Sequence, residues 1–186
     1  MNLIARIKNE VFDKDGKLIY RKEGEMKTFL KNWIIATNCF YSLSNTPAVI
    51  DTAGNSFNLN KSYAVNWVGS VGDTTWGIVV GTSNQAVAIA DNTLITKILE
   101  GTTSGKMTHA VTTLGSVIVS GSTAYFLLGR NFYNGSPASI TIEEVGIIVK
   151  DTGQSRLFLV ARDVTGGIAV AQLQTFVATY TFGTTV

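Results

Sequence analysis

From residue 47 onward the sequence is a series of short apolar or alternating segments separated by Gly, Asn and Ser, and this pattern limits the fold more than any other feature. Val49–Thr52 and Phe57–Leu59 flank Ala53-Gly54-Asn55-Ser56, a turn composition. Tyr63–Val68 and Thr75–Val80 follow on either side of Gly69-Ser70-Val71-Gly72-Asp73. Met107–Val111, Ser116–Ser120, Thr123–Phe132, Ile140–Lys150, Arg156–Arg162 and Gln174–Phe182 complete the series. Segments this short, bounded by turn residues, read as strands. With 18 Gly and only 2 Pro to make the turns, they predict an all-β chain, a β-sandwich with jelly-roll or Greek-key connections. Its 186 residues suffice for one such domain with a real core and hardly for two.

The first 42 residues behave differently. Leu3, Ala5, Ile7 and Val11 fall on one face of a strand, with Arg6, Lys8 and Glu10 on the other. Asp13-Lys14-Asp15-Gly16 then turns the chain, because Gly16 is free to take positive φ, and Lys17–Arg21 returns. The Asp-x-Asp-Gly string lacks the remaining ligands of a calcium loop, so a hairpin is the better reading. Residues 1–24 are therefore expected to form a charged N-terminal hairpin or arm, ahead of a sandwich domain over 25–186. From 25 to 42 the period changes: Met26, Phe29, Leu30, Trp33, Ile34, Thr37 and Tyr41 recur at three- and four-residue steps. That spacing predicts one amphipathic helix over 25–42 that packs on the sheet. The link from Gly81 to Gly105 does not alternate; Asp91–Ile98 fits a helical turn or a short strand. A link of this length points to contact with a neighbour.

Charge is sparse and uneven. The 15 Lys and Arg nearly balance the 13 Asp and Glu, giving a net charge of +2, too little to indicate nucleic acid. Nearly half of these side chains lie in residues 1–31, and no Lys or Arg occurs between Lys61 and Lys97. A β surface so poor in charge is either packed against other chains, as interface cores are, or solvated by Thr, Ser and Asn. No apolar run reaches membrane-spanning length, and Met1–Arg6 does not start a signal peptide. Synthesis in the cytoplasm, with no membrane partner, is the expectation.

Residues able to carry chemistry are few. Cys39 is the single cysteine; it permits no intrachain disulfide and reads as a buried thiol. His109, the single histidine, lies on a strand-like segment and supports neither a His-based metal cluster nor a Ser-His-Asp triad. Glu143 and Glu144 are adjacent, so on a strand they point to opposite faces and cannot act together on a substrate. The one facing the core needs a partner, and Arg162, across the Asp151–Ser155 turn, is placed to provide it. Gly69-Ser70-Val71-Gly72 is not a phosphate loop. Tyr63, Trp67 and Trp76 have only Lys61 nearby, which argues against a nucleic-acid platform. Asn60-Lys61-Ser62 and Asn134-Gly135-Ser136 match the glycosylation pattern, but Asn134-Gly135 is better explained as a turn. The expectation is therefore no enzyme, no catalytic or metal-binding residue and no cofactor.

Several segments together resemble small structural proteins of tailed phages and related viruses. Gly77-Ile78-Val79-Val80-Gly81-Thr82-Ser83-Asn84-Gln85 resembles a strand of those proteins that ends in a Gly-Thr step and a polar loop, continuing to Asp91-Asn92-Thr93-Leu94. Ile140-Thr141-Ile142-Glu143-Glu144-Val145-Gly146-Ile147 is similar to their late strand with Glu-Val-Gly. Leu157–Val164, the closing strand Thr175–Phe182 and the early apolar Phe29-Leu30-Lys31-Asn32-Trp33 follow the same order. Ala169-Val170-Ala171-Gln172-Leu173 departs from it, being more apolar than the loop usual before the closing strand, and becomes a candidate contact. The resemblance implies a homo-oligomeric virion component, a capsid or capsid-surface subunit such as a minor capsid, decoration or turret protein. It would assemble in the host cytoplasm and contact itself and other virion proteins. A tail or fibre component is the alternative within that class. A carbohydrate-binding, adhesin-like module recognising a host-surface glycan is another, and it requires Trp67, Trp76 or Tyr133 exposed on one face.

Overall fold

The computed structural model describes residues 2–26, 28–42, 46–60 and 64–186, with the side chains of 40–42 and 46–47 left aside. The chain is mostly β. In order it forms β1 (Asn2–Phe12), β2 (Leu18–Glu25), α1 (Lys31–Ser42), β3 (Thr46–Ile50), β4 (Ser56–Leu59), β5 (Val65–Asn66), β6 (Gly77–Gly81) and β7 (Leu99–Glu100). There follow β8 (Lys106–His109), β9 (Thr113–Leu114), β10 (Ile118–Ser120), β11 (Thr123–Tyr133), β12 (Ile140–Asp151), β13 (Leu157–Val170) and β14 (Thr175–Thr185).

Two larger sheets and a hairpin account for these strands. One sheet runs β2-β1-β14-β11-β8-β7, with β9 and β10 also on the outer side of β11. The other runs β13-β12-β5, with β6 beside β12, and β3 pairs with β4. β14 is the centre of the larger sheet, antiparallel to β1 from Thr185 opposite Asn2 to Thr175 opposite Phe12. On its other side it pairs along its whole length with β11. The β11·β14 pair in this sheet continues into the β12·β13 hairpin of the other.

Alternation on each strand decides what is buried. Ile7, Val11, Leu128, Phe132, Phe176, Ala178 and Tyr180 of the larger sheet join Ile78, Val80, Ile142, Val145, Ile147, Val149 and Val160 of the smaller in one apolar cluster. Val79, Ile148 and Leu159 point the other way and pack with Leu30 and Leu94 in a second cluster. The middle of β12 is thus covered on both faces, which explains the near-continuous apolar run Val145–Val149. Gly146 is needed there because a Cβ would strike the Leu94 side chain.

The N-terminal hairpin forms as expected. Asp13 accepts from the Asp15 and Lys17 amides, and Gly16 has φ of 79°. It is no separate arm: β1 is fully paired within the larger sheet and β2 is that sheet's exposed edge. The helix differs from expectation in start and face. Glu25 still belongs to β2, Phe29 bridges to Ala161, the Met26 amide donates to Ala5 O and the Leu30 amide to Val160 O. Those amides satisfy neighbouring strands, so the helix begins only at Lys31. Its buried side is Asn32, Ile35, Ala36 and Cys39, whereas Ile34 is 61% exposed. Asn32 belongs inside because it bonds both the amide and the carbonyl of Ile50 and also Leu159 O. The expectations placed on Lys61, Ser62 and Tyr63, and on the side chain of Tyr41, lie outside the described residues.

Candidate functional site

The core-side glutamate is Glu144, and its partner is Arg162. Register places Arg162 opposite Gly146, two residues from Glu144 and on the same face. Its Nε donates to Glu144 Oε2 at 2.7 Å, and both side chains are wholly buried. A second nitrogen meets Asp91 Oδ2 at 2.9 Å, and the third bonds Gln85 O. Glu144 in turn accepts from the Thr96 amide at 3.0 Å. The pair thus fastens both sides of the Gly81–Gly105 link to the smaller sheet, and Lys97 bridges to Gly81. Glu143 faces away, half-buried near Gly167.

A second buried arginine went unnoticed in the sequence. Arg130 is the one Asp, Glu, Lys or Arg between Lys106 and Glu143, and alternation with Leu128 and Phe132 points it inward. Its guanidinium donates to five carbonyls: Ala110, Trp76, Ile78, Ser70 and Asp73, at 2.7–3.3 Å. Among the described residues no carboxylate bonds it directly, and burial lowers its pKa to about 10 despite the nearby Asp73 and Glu100 charges. Gly69-Ser70-Val71-Gly72 is therefore part of a structural cradle for Arg130. Burial alone would raise the Asp73 carboxyl, but bonds from the Thr75 hydroxyl and amide hold it below its usual range.

His109 lies against this cradle. Its ring packs edge-on to Phe132, and among the described residues neither ring nitrogen has a hydrogen-bond partner. Burial, reinforced by Arg130, lowers its pKa to about 4, so the imidazole is neutral near pH 7. Its amide donates to Glu100 at 2.7 Å. The arrangement fastens loops. Among the described residues no group of three His, Cys, Asp or Glu is placed to hold a metal ion, and no helix is long and apolar enough to cross a membrane.

The remaining expected residues are dispersed. Cys39 is buried with its thiol directed to Leu59 O. Trp67 packs edge-on to Trp33 and Phe182 in the main cluster, whereas Trp76 belongs to the second cluster under Lys150. Tyr133 is 39% exposed on β11, so the structure does not gather the three into one aromatic face. Asn134 is buried and bonded to Ala138 O and Val170 O, and Ser136 folds back on its side chain. This motif is a turn. Within Ala169–Leu173, Val170 is buried in β13, while Ala171, Gln172 and Leu173 are exposed.

The exposed sheet edges differ in character. The two free edges of the larger sheet contrast: β2 carries Arg21, Lys22, Glu23 and Glu25, whereas β10 and the residues around it carry no charge. Leu114, Val117, Ile118 and Val119 are all exposed along that uncharged edge. A nearby groove of about 490 Å³ is lined by Leu3, Val117, Phe126 and Phe182, with Phe29 and Trp33 behind. Compared with protein-family models, curated proteins and solved structures, the chain has no match.

Proposed function

We propose that this chain is a virion structural protein, a homo-oligomeric capsid or capsid-surface subunit of the minor capsid, decoration or turret kind, that acts through subunit contacts rather than by turnover. The observation that carries the reading is the uncharged, apolar edge at β10 beside an open apolar groove. Soluble sheets ordinarily guard such an edge with charge or cover. Here β2 is guarded in that way and β10 is not. The buried charged groups Arg130, Glu144 and Arg162 bind loops down to the sheets, a use suited to a shell component that must hold its shape. The resemblance of the Gly77–Leu94, Ile140–Ile147 and Leu157–Val164 segments to tailed-phage structural proteins supports the same reading.

The finer fold belongs to this proposal. One apolar cluster drawn from both larger sheets, and a β11·β14 pair that continues as the β12·β13 hairpin of the other sheet, support a β-sandwich of jelly-roll type. The test is native mass of the purified chain together with a glycan-array screen. A closed oligomer without glycan binding supports the proposal. A stable monomer that binds glycans through Tyr133 would replace it with the adhesin reading.

A further inference from the structure

β2 and β13 are edge strands of the two larger sheets, and a cavity of about 590 Å³ lies between them. Asn9 of β1 with Lys22 and Gly24 of β2 line one side, and Asp163–Thr165 of β13 line the other. Two features of the lining point to a ligand. Asn9 is only 4% exposed, and among the described residues its Oδ1 has no hydrogen-bond partner; a buried carbonyl oxygen is ordinarily paired. Gly24 has no positive φ, and a Cβ added there would meet nothing within 4 Å. Neither backbone nor packing calls for glycine at this strand position, where it weakens the strand, but any side chain would occupy the cavity. The same space holds opposite charges. Lys22 Nζ reaches across to Thr165 O at 2.7 Å. Asp163, itself largely buried, accepts from the Thr28 hydroxyl at 2.7 Å and from the Tyr180 hydroxyl at 3.4 Å.

We infer that this cavity binds a free α-amino acid with an apolar side chain. Its ammonium meets Asn9 Oδ1 and the Asp163 carboxylate, and its carboxylate meets Lys22. The site lies at the β2 side of the larger sheet, away from β10, and does not depend on the assembly reading. The pattern of donors and acceptors selects this class. A phosphate or simple carboxylate has no proton for Asn9 Oδ1 and is repelled by Asp163. A hydrocarbon leaves Asn9 unmet, and a neutral alcohol meets Asn9 but leaves both charges without a complement. An ammonium satisfies Asn9 and Asp163 together, since an ionised carboxylate keeps acceptor capacity beyond the Thr28 and Tyr180 bonds. A plain amine would then face the Lys22 charge, whereas an added carboxylate turns that charge into a partner. Asn9 and Lys22 stand opposite each other in register, so their side chains leave the sheet about 5 Å apart. An α-amino acid carries its ammonium and carboxylate on one carbon, which suits that spacing. Ile7, Val87 and Val164 supply an apolar wall for the side chain.

Calorimetric titration of the whole chain with L-leucine, isopentylamine and 4-methylpentanoate tests this, since each analogue keeps one charged end of leucine. The inference predicts that leucine binds and that each analogue binds at least tenfold more weakly. Lys22→Met, at an exposed position that the fold does not need, should weaken leucine at least tenfold and isopentylamine not at all. Gly24→Leu should fill the cavity and abolish leucine binding with an unchanged circular dichroism spectrum. No binding of leucine, valine or methionine at millimolar concentration overturns the inference. Either analogue binding as tightly as leucine overturns the amino-acid class. Leucine binding undiminished in Gly24→Leu overturns the location, and leucine binding undiminished in Lys22→Met overturns the carboxylate contact. All of these are read without reference to the oligomer, so the assembly reading stands or falls separately.

Discussion

The two halves of β11 sit in the same sheet, beside the same neighbour, and are finished in opposite ways. At Leu128–Phe132 the inner row is roofed by the loop around residues 69–78, which Arg130 holds through carbonyl bonds. At Ala124–Phe126 the inner row runs out into an open groove. The closed half uses a buried cation whose donors are all met by backbone oxygen, an arrangement with little tolerance for change. The open half uses neither charge nor loop. The open end is the edge on which the proposed assembly role rests.

Breaking the loop fastenings gives the largest effects. Arg162→Ala leaves Glu144 buried without its partner, and the expected loss is about 4 kcal/mol by urea unfolding. Unchanged stability would mean the pair does not hold the link. Replacing both groups with apolar residues, Arg162→Met with Glu144→Leu, should recover most of that loss, since the uncompensated charge is then gone. Arg130→Met should lose about 3 kcal/mol, because its carbonyls are left unsatisfied or the 69–78 loop opens to reach water. Faster exchange of the amides in that loop would distinguish the second outcome.

Acid sharpens the same comparison. His109 has a pKa of about 4 in the fold, against about 6.5 in an open chain. The unfolded chain therefore takes up the proton first as pH falls. The stability due to the neutral ring is complete above pH 6.5 and declines toward pH 4, by about 2 kcal/mol between pH 7 and 5. Urea midpoints at the two values measure this, and His109→Leu should flatten the slope. The open half should respond least: Val119→Lys is expected to change monomer stability by less than about 0.5 kcal/mol, although it sits at the proposed contact.

The local parts of this architecture were legible in the sequence. Alternation required one of Glu143 and Glu144 to face inward without choosing between them, and the short turn at 151–155 placed Arg162 within register to pair with it. The Asp13–Gly16 hairpin followed from turn chemistry. The helix start was not legible, because the amides of Met26 and Leu30 are claimed by carbonyls of distant strands, which helical spacing does not reveal. Ile34 fitted an apolar stripe and is exposed because Asn32 anchors the opposite side of the helix. Arg130 did leave a signal, as a lone cation on the inward face of an uncharged strand. Its carbonyl partners lie more than fifty residues away for the most part, so only tertiary structure could supply them. The open groove is lined by residues from Leu3 to Thr184, and no single segment encodes that.

The central claim is that this chain functions as an assembled subunit, and sedimentation of the purified protein over a wide concentration range tests it most directly. The account predicts a discrete oligomer, with little monomer at micromolar concentration. A single monomeric species across the whole range would contradict it.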